Sequence, residues 1–181
     1  PANHYLPRRK ASITIHDDEL VRSDNPLQKE WSIPAGAIQP QVANVTDLFP
    51  TILSLTGVDT PDGHAVDGKG LAKLMSGSAD ASREQTFLMH YPHAPHRSDY
   101  FTVYRNGDWK VIYHYLPTEV SDGSHYQLYN LKEDPFESTN VADQHPEKLR
   151  ALMKGLVMDL IAQSALYPVD EQGNPIKPVI P

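Results

Sequence analysis

Residues 101–115 carry two β-forming runs separated by three turn residues: FTVYR at 101–105, Asn106, Gly107 and Asp108, then WKVIYHY at 109–115. A link this short between two such runs predicts a hairpin, because Gly, Asn and Asp supply the backbone angles that a tight turn demands. In the second run Val111, Tyr113 and Tyr115 alternate with Lys110, Ile112 and His114. A period of two predicts a half-buried strand rather than one covered on both faces. TFLMHY at 86–91 and YQLYNL at 126–131 read as two more strands. Four antiparallel strands cannot hide an apolar face alone, so something must cover them.

The cover is supplied further along the chain. Leu149, Leu152, Met153, Leu156, Val157, Leu160 and Ile161 recur at spacings of three and four, which predicts an amphipathic helix over 146–166 opened by Pro146. Gly155 within it costs about 1 kcal/mol against alanine, which points to a close contact there. The expected core therefore lies at 86–166 and is α+β in class. A second helix is expected at 46–57, capped by Asn44 or Thr46, with Pro50 in its first turn and Gly57 as its stop. Its apolar side chains are expected to pack on something other than the sheet. A short helix at 71–75 should end near Gly77. Residues 1–45 contain a short β-like run at 11–16, followed by a stretch with prolines at 26, 34 and 40, and read as a linker or an edge.

Composition narrows the function classes. The chain has no cysteine, so disulfides, thiolate nucleophiles and cysteine metal sites are excluded. A net charge of -7 argues against nucleic acid, and the basic cluster Arg8, Arg9 and Lys10 is too small to reverse that. No apolar run is long enough for a membrane span. No charged-then-apolar leader is visible, which leaves the compartment open.

His90, His93 and His96 recur every third residue in HYPHAPHRSDY, with Arg97 beside them. Two readings stay open from the residues alone: a zinc site lacking a fourth ligand, or a structured loop whose imidazoles bond to backbone. Arg83 and Glu84 read as an ordinary surface pair.

Four stretches, in this order, resemble the sulfatase family. They are VTDLFPTILSLTGV at 45–58, DGKGLAKLMSG at 67–77, YRNGDWKVIY at 104–113 and LYNLKEDPFESTNVADQHPEKLRALMKGL at 128–156. The resemblance implies an alkaline-phosphatase-like fold whose smaller C-terminal subdomain is a four-stranded antiparallel sheet packed on a long helix. On that division residues 1–80 are a remnant or edge of the α/β sulfatase domain and residues 81–181 are the C-terminal subdomain. The family's nucleophile is a formylglycine made from Cys or Ser in a Cys/Ser-x-Pro-x-Arg motif. This chain contains no such motif.

The resemblance further implies a calcium cofactor. Ser23, Asp24 and Asn25 look like the family's Ser-Asp-Asn metal motif, with Lys29 as the lysine that contacts sulfate. Pro26 stands where the family has glycine, and an Asx-Pro turn is the competing reading. By the same resemblance His90, His93, His96 and Arg97 contact the substrate or line its entrance. The implied function is hydrolysis of a sulfate ester, of a sulfated sugar or other sulfated small molecule, with this chain as the substrate-side wall. An N-terminal sulfatase chain or segment would then carry the nucleophile. The alternative is a non-catalytic carbohydrate-binding or scaffold module. Family analogy implies a periplasmic, secreted or lysosomal setting. Exposed apolar surface on the helix at 46–57 would favour the larger assembly over the sealed module.

Overall fold

The structure is a computed structural model, and it describes residues 34, 36, 38–93, 99–117 and 122–181. Its centre is a four-stranded antiparallel meander in the order β1-β2-β3-β4. The strands are β1 (Thr86–Tyr91), β2 (Phe101–Asn106), β3 (Trp109–His114) and β4 (Tyr126–Asn130). Asn106 pairs with Trp109, so the hairpin loop is shorter than the sequence suggests, with only Gly107 and Asp108 between the strands. Gly107 has φ 60° at the first of these two positions, where a two-residue turn needs glycine.

The register places Leu88, Tyr104, Val111 and Leu128 in one row across all four strands. Helix α3 (Pro146–Ala162) lies on this face through the buried residues Leu149, Leu152, Met153, Leu156 and Leu160. The helix begins with Pro146, as its sequence implies. It stops four residues before the expected end. Ser164 has φ 51°, its N–H donates to the Ile161 carbonyl at 3.0 Å, and the Ala165 N–H donates to the Leu160 carbonyl at 3.0 Å. This is a Schellman ending in which serine takes the left-handed position that glycine usually fills. Ile161, expected on the buried stripe, is instead exposed.

Gly155 faces the Tyr104 ring. A Cβ at position 155 would sit 2.6 Å from the Tyr104 hydroxyl and 2.8 Å from two of its ring carbons. The glycine is therefore what lets the helix backbone approach the sheet.

The earlier segment is held by one buried ion pair. Asn44 caps a 3-10 turn at Val45–Asp47, which runs into α1 (Leu48–Thr56). Gly57 ends α1 at φ 69°. The short helix α2 spans Ala72–Met75. Asp47 accepts from the backbone N–H of Asn44 at 2.9 Å and of Lys69 at 2.8 Å, and it pairs with the Arg83 guanidinium. Arg83 also donates to the Val42 and Lys69 carbonyls. The side chains of Arg83 and Asp47 are 6% and 3% exposed. Arg83 is thus no surface residue, contrary to its reading beside Glu84. Three chain segments converge on this pair, just ahead of β1.

Three apolar side chains of α1 are exposed, while Leu53 and Leu55 are half-buried. Leu48, Phe49 and Ile52 are 51%, 43% and 58% exposed, and Thr51 is the helix's buried residue.

Two outcomes follow for stability. Gly155→Ala should destabilise the fold by about 1–2 kcal/mol in urea unfolding, since overpacking against Tyr104 outweighs the better helix propensity. Tyr104→Phe in the same chain should recover part of that loss. Burial acts on the Asp47 carboxyl in the opposite sense, but hydrogen bonds from Asn44, Lys69 and Arg83 together with the Arg83 charge hold it below the ordinary carboxylate value. A depressed folded-state value means stability that is present above the unfolded value and lost as pH falls through the folded one. Arg83→Met should cost about 3–5 kcal/mol near neutral pH by stranding that carboxylate. The deficit against wild type should shrink below the ordinary carboxylate range, as read from urea midpoints at several pH values.

Candidate functional site

The turns after β1 and β3 leave from the same end of the sheet, and β4 enters from it. Of the six histidines among the described residues, His90, His93, His114 and His125 gather there. Period-two alternation sends successive side chains to opposite faces, so the four do not share one environment.

His90 points to the helix side. Its Nε2 lies 2.5 Å from the Leu166 carbonyl, and its Nδ1 lies 2.7 Å from Thr102 Oγ1. A carbonyl only accepts, so Nε2 carries the proton. The Tyr115 hydroxyl completes the chain at 2.8 Å from Thr102 Oγ1. The Tyr115 and Tyr167 rings meet the imidazole edge-on. Burial pushes the Tyr115 hydroxyl far up, although Thr102 acts against it.

On the other face His114 is buried. Its Nδ1–H donates to the Asp99 carboxylate at 2.9 and 3.0 Å, and its Nε2 lies 3.0 Å from Gln127 Oε1. His125 donates from Nδ1 to the His114 carbonyl at 2.7 Å and stacks on Tyr113 with centroids 5.7 Å apart. His93 lies just beyond β1, exposed, with its ring perpendicular to that of Tyr91 at 5.6 Å. Neither His93 ring nitrogen has a hydrogen-bond partner among the described residues.

Of the residues singled out in the sequence, the structure brings His90 and His93 to this end. His96 and Arg97 lie outside the described residues, as do Asp24, Asn25 and Lys29. Among the described residues no group of three His, Asp or Glu side chains is arranged to hold a metal ion. With both nitrogens of His90 engaged, a zinc reading of the histidine triplet loses its first ligand.

A cleft of about 550 Å³ opens between the Asp47 turn and the sheet-plus-helix unit, bordered by Asn44, Thr46, Asp67, Lys69, Glu84 and Asp159. Nothing in the sequence announces it, because its walls are residues far apart in the chain. Four carboxylates and two cations line it, with Arg83 already spent on Asp47. Its sign is wrong for an anionic ligand.

This fold and these stretches coincide with a known family. The family described as "N-sulphoglucosamine sulphohydrolase, C-terminal" matches residues 22–164. The chain belongs to the sulfatase family.

Arylsulfatase K of Xenopus laevis is 31% identical over 119 residues, covering 64% of this chain and 22% of that protein. N-acetylgalactosamine-6-O-sulfatase of Bacteroides thetaiotaomicron is 29% identical over 114 residues, covering 59% of this chain and 21% of that protein. A protein solved in complex with its substrate D-glucosamine-2-N,6-O-disulfate superposes with a TM-score of 0.51 at 23% identity, covering 65% of this chain and 24% of that one. That likeness shows the fold. The sulfatase chain thus spans about a fifth of the length of the curated relatives it matches.

Within this sulfatase chain the cleft carboxylates have a measurable signature. Burial and then the charge of Glu84 hold the Asp159 carboxyl above its ordinary value. A raised folded-state value means that ionising Asp159 opposes folding as pH rises through it. Glu84→Gln should therefore move the Asp159 carboxyl titration midpoint downward in a carbon-13 NMR pH series. It should also lessen the loss of stability above the ordinary carboxylate range.

Proposed function

We propose that this chain forms the substrate-side wall of an enzyme that hydrolyses sulfate esters of sulfated sugars. The observation that carries the reading is His93, an exposed imidazole whose nitrogens have no hydrogen-bond partner among the described residues, at the histidine-bearing end of a sulfatase subdomain. The names and ligands of the relatives support a sugar substrate: one acts on N-acetylgalactosamine 6-O-sulfate esters by its name, and one holds a disulfated glucosamine.

In this reading His93, His96 and Arg97 donate hydrogen bonds to sulfate or sugar oxygens, and charge assistance makes those from Arg97 and protonated imidazoles the stronger ones. His90 lines the entrance from behind, held by Thr102 and the Leu166 carbonyl. Lys29 contacts the sulfate. Asp24 and Asn25 alone do not make a calcium site. Such an ion takes about six to eight oxygens, and Asp24 with Asn25 would lend only two. Most of its shell, and the formylglycine, would come from a further sulfatase segment or chain. The exposed apolar side chains of α1 favour packing against such a segment over a sealed carbohydrate-binding module. Among the described residues no helix is long and apolar enough to cross a membrane.

Titration of the nitrogen-15-labelled chain with D-glucosamine-2-N,6-O-disulfate tests the reading. Saturable shifts at Tyr91 and His93 are expected, with none for unsulfated glucosamine. His93→Ala should weaken binding about tenfold, as for loss of one hydrogen bond to a charged group. Equal responses to both sugars, or shifts confined to the Asp47–Asp159 cleft, would sink it.

A further inference from the structure

The connection from β1 to β2 is held at each root by a different cluster. At the β1 root, His90 is tied to Thr102 and to the Leu166 carbonyl. At the β2 root stands Asp99, 5% exposed, two residues before the strand begins. Its carboxylate takes the Nδ1–H of His114, which is 4% exposed on β3 opposite Phe101. Gln127 on β4 engages the other imidazole nitrogen. The Tyr115 N–H, donating to the Tyr100 carbonyl at 2.9 Å, ties the neighbouring backbone. A residue outside the sheet is therefore bolted across two strands.

Burying a carboxylate and an imidazole is a poor route to stability. Desolvation of both groups cancels much of their attraction, and apolar pairs of similar size often serve as well or better. What the pair supplies is direction, because the hydrogen bonds fix Asp99 at one place against β3. We propose that Asp99 and His114 are a positioning pair: they fix the start of β2, where Phe101 lies opposite His114 and stacks on Tyr91 with centroids 5.4 Å apart, and the Tyr91 ring in turn meets the His93 ring at 5.6 Å, so the pair sets how that imidazole meets a sulfated sugar. The proposal rests on the reading of His93 given above.

The test compares wild type, His93→Ala, the apolar swap Asp99→Leu with His114→Phe, and all three changes together. Affinity for D-glucosamine-2-N,6-O-disulfate is read beside the urea midpoint. The swap should keep the midpoint at or above that of wild type and yet lose about tenfold in affinity. On the His93→Ala background it should lose nothing further, since residues acting through one another are not additive. Undiminished affinity in the swap would overturn the positioning role, as would losses that multiply on the His93→Ala background. Should the swap lose its cooperative transition, Asp99→Asn decides, because it removes the charge and keeps a partner for Nδ1. A threefold or greater loss of affinity supports positioning, and no change overturns it. If wild type does not bind, or His93→Ala binds like wild type, the reading of His93 fails first and the positioning role falls with it. If His93→Ala loses affinity and the swap does not, the positioning role alone is overturned.

Discussion

The pairing of Asp47 with Arg83 is the constraint on which the relation between the chain's two parts depends. Asp47 belongs to the turn that starts α1, and Arg83 immediately precedes the sheet. Between them the Lys69 backbone donates to the carboxylate and accepts from the guanidinium. Gly68 beside it has no room for a side chain, because a Cβ would run into the Thr46 carbonyl. Buried charges are tolerated when hydrogen bonds surround them, and here each oxygen of the carboxylate has its donor. The same packing leaves Thr51 to bridge the Asp47 carbonyl and the Leu71 N–H. A loop that reads as irregular in sequence is thereby given one conformation.

The sheet-plus-helix unit relies on a different economy, shape rather than charge. One row of four apolar residues meets one stripe of five, and Gly155 removes the single side chain that would keep them apart. The outer face of the sheet is more polar. It holds the Asp99–His114 pair and the ion pair between Lys110 and Glu137 at 2.6 Å. The two faces therefore divide the work: the helix side makes the core, and the other side carries groups whose directions matter.

Much of this was legible in the residues. The alternation at 101–115 and the three-four spacing at 149–160 are repeats that only one geometry satisfies, so strands and helix emerge at their observed places. Gly155 was readable because glycine in a helix interior is costly without a reason. The end of α3 was not, since Ser164 carries no turn signature and its left-handed backbone is imposed by the cap. Arg83 looked superficial because its partner lies 36 positions earlier. For the candidate site, spacing identified the histidine triplet but could not tell that both nitrogens of His90 are engaged internally while those of His93 find no partner among the described residues. His114 was legible only as one position in the alternation of its strand, and His125 carried no local pattern. Their nearness to His93 comes from pairing of strands distant in sequence.

The early ending of α3 has a consequence for how the subdomain tolerates change. The helix runs 17 residues from Pro146, then Ser164 turns the chain so that the Leu166 carbonyl reaches His90. Each helical residue advances about 1.5 Å and rotates the chain by roughly 100°. The helix thus acts as a ruler. One inserted residue would rotate the buried stripe off the sheet and swing the tail away from the imidazole. Substitutions on its outer side are free to accumulate, but its length is locked to the position of a side chain on the far strand.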